Sequence, residues 1–305
     1  MVLALTARFG NDRLNTFPEN PEKDSTGLPM EIVSPNLGSQ NLPKNKDNES
    51  SVDRDIFSLI MKCDSAARLF PATELYNETW MMRLVLDWFS NHKVKKHPLL
   101  FSKNCRWFSE GLIPSPFLAR YRGDPLAETW THADGVIGHF EVGEGGRADV
   151  CLRDSAKHLV CVEAKMYSRL SAGVKNASDY NQAARYVACM AELINRAQCE
   201  LGVMKALGLY VLAPKSQVDA DVFGKKMTRG HIEATVKRRV DQYGGEKNSW
   251  FQEWFLPTLE KMDLQILTWE SILDDITKAD EKSGGAMQKF YEKSLAYNGP
   301  NGRRT

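Results

Sequence analysis

Two short runs of alternating residues constrain the fold of this chain more than any other feature. Gly146-Arg147-Ala148-Asp149-Val150-Cys151-Leu152 and His158-Leu159-Val160-Cys161-Val162-Glu163-Ala164-Lys165 each switch between apolar and polar positions, with polar Arg153–Lys157 between them. A period of two belongs to a strand with one face on a core, and two such runs around a short polar turn predict an antiparallel hairpin. Ala148, Val150 and Leu152 then share a buried face with Val160, Val162 and Ala164. Cys151 and Cys161 fall opposite each other on the other face, as small fillers rather than a disulfide.

With the turn centred near Ala156, Asp149 lies across from Glu163, at the roughly 4.5–5.5 Å that separates opposed Cβ atoms. Two ionised carboxylates at that range repel unless a cation sits between them. Oxygen ligands suit a hard divalent ion, Mg²⁺ first beside a phosphate and Mn²⁺ as its substitute. Lys165, two residues beyond Glu163 on the same face, can hold a phosphate or orient a water.

Two helices flank this hairpin in the sequence. Downstream, Asp179–Ile194 has helical periodicity, and Gln182 and Tyr186, four apart, share a face. Upstream, Ala72–Phe89 predicts a helix capped by Thr73, with Glu78 on the apolar stripe of Met82, Val85 and Phe89. A carboxylate on such a stripe needs a partner or a metal.

Asp149, the Glu163-Ala164-Lys165 triplet and the Gln182-X-X-X-Tyr186 helix together resemble the PD-(D/E)XK nucleases, specifically their RecB-type branch. Ala148 stands where the family name has proline. The resemblance spans about residues 72–215 and implies a restriction-endonuclease-like α/β fold, a central mixed β-sheet flanked by helices. By that likeness Asp149, Glu163 and the Ala164 carbonyl ligate Mg²⁺ or Mn²⁺, Glu78 adds a third acid, and Lys165 activates the attacking water. Gln182 and Tyr186 face the nucleic acid, DNA rather than RNA. The expected function is a metal-dependent nuclease; the alternative is an inactive nucleic-acid-binding module on the same fold.

The rest of the chain sets the frame. Residues 1–52, rich in Asn, Pro, Ser and Lys, are expected to form a flexible tail, 53–277 the nuclease-like domain with helical decorations, and 278–305 a polar, frayed end. Thr129–Val142 is expected to be the first strand of a three-strand meander ending in the hairpin, with His132 and Asp134 on one face in support of the metal site. Residues 97–125 contain Pro and Gly and suggest short helices and turns. Leu207–Pro214 and Leu264–Trp269 predict further strands, the first joined to the Glu163 strand by a crossover helix, the second followed by a helix over 270–276. Lys225–His231, Lys237–Arg239, Arg120 and Arg122 are the candidates for phosphate contact.

A net charge of +1 weakens any claim of bulk electrostatic attraction to nucleic acid, for which the placement of charge matters more. The six cysteines form no Cys-X-X-Cys pair, which argues against zinc or an iron–sulfur cluster. No apolar run approaches the ~18 residues of a membrane span, and the N-terminus lacks a secretory pattern, so the expected location is the cytoplasm. No Gly-X-Ser-X-Gly, Walker-type or His-Glu-X-X-His pattern offers a competing hydrolase chemistry.

Overall fold

The computed structural model describes Leu59, Ile60, Lys62, Ser65 and residues 69–299 apart from 95 and 144–147. The expected tail over 1–52, residues 144–147 and residues 300–305 lie outside the described residues. The chain divides into a unit ending at Pro71 and a larger one beginning at Ala72, and it is the larger unit that carries the sheet.

Helix α1 (Glu78–Asn91) precedes strands β1 (Arg106–Ile113), β2 (Thr131–Gly138), β3 (Phe140–Val142), β4 (Val150–Leu152) and β5 (His158–Ala164). After them come helix α2 (Gln182–Arg196), strand β6 (Ala206–Ala213), helix α3 (Arg229–Asp241) and strand β7 (Asp263–Thr268). Helices α4 (Trp269–Ala279) and α5 (Glu281–Asn298) close the unit. Five strands form one sheet in the order β1-β2-β5-β6-β7. β1, β2 and β5 run antiparallel, whereas β5, β6 and β7 run parallel, so the sheet is mixed as expected.

β5 lies at the centre, and all seven of its residues are buried. Its side chains alternate between two cores. Leu159 and Cys161 join the side packed by α2 and α3; Val160, Val162 and Ala164 join the side packed by α1, α4 and α5. A strand covered on both faces reads as a nearly continuous apolar run, which is the pattern of β6 as well.

The expected hairpin does not form. β4 pairs with β3, Cys151 opposite Glu141, in a separate two-stranded sheet. β2 takes the place beside β5, from Gly135 opposite Val162 to Gly138 opposite Leu159. The Arg153–Ala156 turn is tight, the Ala156 N–H donating to the Arg153 carbonyl at 3.0 Å, yet it leads β4 away from β5. Alternation specifies which face a residue takes and leaves the pairing partner open. β2 supplies apolar residues to both cores, as a neighbour of β5 must, whereas β4 exposes Cys151 beside the Arg153–Glu141 ion pair. Cys151 and Cys161 are therefore not opposed; Cys161 sits across from Val136.

Three further expectations are corrected. Residues 97–125 include an eight-residue edge strand, β1. Glu110, in mid-strand, has a left-handed φ of 59°, a conformation no residue-type pattern announces for glutamate. α1 begins at Glu78 under an Asn77 cap, whose Oδ1 accepts the Trp80 N–H at 3.0 Å, so Thr73 lies in a separate turn of 3₁₀-helix. Finally, the polar end is ordered through Asn298 as α5, capped by Asp280 and anchored by buried Tyr291, whose hydroxyl donates to Glu270 Oε1 at 2.8 Å.

Gly284 explains why that helix reads as a break. A Cβ there would lie 2.5 Å from the Thr277 Cα, so glycine permits the close approach of α4 and α5 rather than ending the chain's order. Gly284→Ala is expected to lower stability by about 1–3 kcal/mol through overpacking, read as a fall in Tm. An unchanged Tm would show that the two helices separate freely.

Candidate functional site

The antiparallel register of β2 and β5 places a carboxylate opposite Glu163, and the carboxylate is that of Asp134. The pairing of Gly135 with Val162 carries Asp134 one step further, to face Glu163. Opposed residues share a face, and this is the face that α2 covers. Here the core on that side ends and a cleft of about 580 Å³ opens, lined by Glu128, His132, Asp134, Glu163, Lys165, Lys175, Asn176, Gln182 and Arg185 among others.

Both carboxylate oxygens of Glu163 are held. The Gln182 amide donates to Oε1 at 2.6 Å, the Lys165 ammonium forms an ion pair with the same oxygen, and the Tyr186 hydroxyl donates to Oε2 at 2.5 Å. The Tyr186 hydroxyl also accepts the Asp134 N–H at 3.2 Å, tying the two strands through one group. α2 can deliver both side chains because the Asn181 cap, accepting the Ala184 N–H at 3.2 Å, starts the helix at Gln182. The Lys165 backbone is fixed in turn. Its N–H donates to the Leu212 carbonyl at 2.8 Å, and its carbonyl accepts Trp269 Nε1 at 2.9 Å.

Asp134 Oδ2 accepts the Ala164 N–H at 2.8 Å. Burial, then the charge of Glu163, pushes the Asp134 carboxyl up to about 8; the Ala164 N–H and Lys165 oppose the rise, and Glu110 adds to it. Glu110 is bracketed by the pairs Ser109–Gly135 and Gly111–Ala133, which set it opposite Asp134 on the other side. Three acids thus lie in register across β1, β2 and β5. Tyr186 is buried, which holds its phenol well above the usual range and keeps it a donor.

Of the expected site residues, Glu163, Lys165 and Gln182 come together in the cleft. Tyr186 joins them from below: at 1% exposure it anchors Glu163 and presents nothing to a nucleic-acid strand. Asp149 is displaced with β4, forms a bridge to Leu112 on β1, and does not line the cleft. Glu78 opens α1, whose apolar stripe packs on the other side of the sheet, and it does not line the cleft either. His132 and Asp134, expected in a supporting role, both line it.

The basic segments are largely committed to the protein itself. Arg239 is buried in an ion pair with Glu128 at 2.9 Å, and Arg120 pairs with Asp124 and Glu246 at 2.9 Å each. Arg238 pairs with Asp179 and Lys237 with Asp241. Arg229 donates to the Leu259 and Met262 carbonyls, and Lys226 to that of Leu170.

Glu110 and Arg185 are not among the residues expected from the sequence, and Asp134, expected only in support, is the acid opposite Glu163. The signal for Asp134 was present: a lone acid ahead of Gly135 in a strand otherwise dominated by small and apolar residues. Among the described residues no three His, Cys, Asp or Glu side chains gather at metal-ligand spacing. Compared with protein-family models, with curated proteins and with solved structures, the chain matches none.

The raised Asp134 carboxyl carries a stability consequence. Between the ordinary carboxylate range and about 8 the folded state holds a proton that the unfolded chain has lost, so this group's contribution falls as pH rises through that window. Asp134→Asn keeps an acceptor for the Ala164 N–H and removes the ionisation. Its stability advantage over the parent, followed as the difference in Tm, is expected to grow from pH 5 to pH 8, reaching about 2 kcal/mol. A difference independent of pH would contradict the raised Asp134 carboxyl.

Proposed function

We propose that this chain is a divalent-metal-dependent nuclease that hydrolyses phosphodiester bonds of nucleic acid, DNA rather than RNA. The observation that carries the reading is the opposition of Asp134 and Glu163 at a cleft, with Lys165 two residues beyond Glu163, just past the end of β5. That is the spacing of the PD-(D/E)XK signature, with Asp134 rather than Asp149 as its first acid. The preference for DNA rests on the family resemblance alone.

The residues fit a divalent ion by their donor chemistry. Two hard carboxyl groups face each other, one with its proton affinity raised by burial and then by the other's charge, and Lys165 forms its ion pair with Glu163 and not with Asp134; Mg²⁺ typically takes one or two protein carboxylates while keeping several waters. Asp134 and Glu163 would hold Mg²⁺, or Mn²⁺ in its place. Such an ion supplies an acidified water and neutralises charge on the phosphate. The protein's own groups do the positioning. Gln182 and Tyr186 fix both oxygens of Glu163, so the carboxylate enters the reaction with no freedom left to lose. Lys165 sits where its ammonium can leave Glu163 for a substrate oxygen and orient the attacking water.

No helix among the described residues is long and apolar enough to cross a membrane; a cytoplasmic site of action is part of the proposal.

The test is incubation with linear, circular and single-stranded DNA and with RNA, each with Mg²⁺, Mn²⁺ or EDTA. Metal-dependent cleavage of DNA is expected, reduced by about 10²-fold or more in Asp134→Asn and in Lys165→Ala. Asp149→Asn is expected to stay within about twofold of the parent. Binding without cleavage under either metal would replace this reading with that of an inactive nucleic-acid-binding module.

A further inference from the structure

The lining of the cleft holds three acids, Glu128, Asp134 and Glu163, and three Lys or Arg cations, Lys165, Lys175 and Arg185, of which only Glu163 and Lys165 form an ion pair with each other. Glu163 is matched by Lys165. Glu128 is matched from behind by Arg239 and by the Ser115 hydroxyl at 3.0 Å. The other two cations, Arg185 and Lys175, have no side-chain hydrogen bond or ion pair among the described residues, to Asp134 or to any other acid, although the Arg185 charge also favours the ionised form of Glu128.

Arg185 is the more telling of the two. Its Nε is buried and has no acceptor, although buried polar groups are nearly always hydrogen-bonded. A guanidinium offers five N–H donors in a planar fork and cannot shed its charge. Left without an acceptor beside a polar cleft, such a group is shaped for a ligand rather than for the fold. Its place on α2 is set by the same cap that sets Gln182: it lies three residues on from Gln182 and next to Tyr186, so the helix that orients Glu163 also aims Arg185. Lys175 reaches the cleft from the segment before α2 and is exposed.

We infer that Arg185, backed by Lys175, clamps a backbone phosphate of the bound strand, separate from the phosphate at Lys165. The inference rests on the nuclease reading and deepens it by naming a substrate-positioning residue on α2. A phosphodiester matches the fork bidentately; a neutral ligand would leave both cations unpaired. The contact goes to the backbone and carries no base information, so its contribution is the same for any sequence.

The experiment is fluorescence anisotropy with fluorescein-labelled single-stranded and duplex DNA in EDTA over a range of NaCl concentrations, together with cleavage kinetics in Mg²⁺. Arg185→Gln is expected to raise Kd by about tenfold and to flatten the slope of log K against log salt by about 1. Arg185→Lys restores the slope but not the full affinity. In Mg²⁺ the Gln variant raises KM while kcat stays within about threefold, the mark of a contact made equally in ground and transition states. Lys175→Gln, at an exposed position, decides the matter if Arg185→Gln does not fold: it too should flatten the slope.

Parental affinity and slope in Arg185→Gln, with cleavage by the parent intact, would overturn this inference and leave the nuclease reading standing. A parent that neither binds nor cuts DNA overturns both. An Arg185-dependent rise in Tm with inorganic phosphate, without any change in DNA binding, would assign the site to a free anion and overturn the strand contact.

Discussion

The site depends on two carboxyl groups held side by side whose simultaneous ionisation is opposed. Asp134 and Glu163 are opposed on neighbouring strands, and burial strengthens their repulsion rather than screening it. The protein meets that repulsion with Lys165, with Gln182 and Tyr186 on Glu163, with the Ala164 N–H on Asp134, and by keeping the Asp134 carboxyl protonated far above its ordinary range. A fold with no use for two acids would place one apolar side chain there and spare itself the network. Retaining both is intelligible if the arrangement serves a cation and a phosphate.

The surrounding architecture converts that pair into a positioned one. β5 is clamped between β2 and β6 and covered on both faces, so Glu163 and Lys165 leave a strand that cannot shift. α2 reaches over one side with Gln182 and Tyr186; Trp269 of α4 reaches from the other to the Lys165 carbonyl. The order α2-sheet-α4 thus fixes the triplet from both layers. Side chains whose rotamers are locked by such neighbours lose little freedom on binding, which is where positioning contributes to rate.

How much of this could be read beforehand follows from what each pattern encodes. β5, β6 and β7 are legible because buried parallel strands are short apolar runs bounded by polar residues, and Glu163, Lys165 and Gln182 follow from their spacing on a strand and a helix. The hairpin failed because period two records the face a residue takes and is silent on the neighbouring strand, so Asp149 and Asp134 were equally eligible partners for Glu163. β1 escaped notice because Glu110 turns through a left-handed φ in mid-strand. α5 escaped because Gly284 reads as a stop where the structure uses it for close packing. The basic segments read as nucleic-acid contacts because charge is visible in a sequence and its partners are not: Arg239 is balanced by Glu128, more than a hundred residues earlier.

The central claim is that Asp134, and not Asp149, completes a divalent-ion site with Glu163. Direct Mn²⁺ titration followed by isothermal calorimetry at pH 8 addresses it without any substrate. The parent and Asp149→Asn should bind Mn²⁺ alike, with protons released as the ion displaces them from Asp134, whereas Asp134→Asn and Glu163→Gln should lose binding. Equal binding by Asp134→Asn and the parent, or loss in Asp149→Asn alone, would contradict the account.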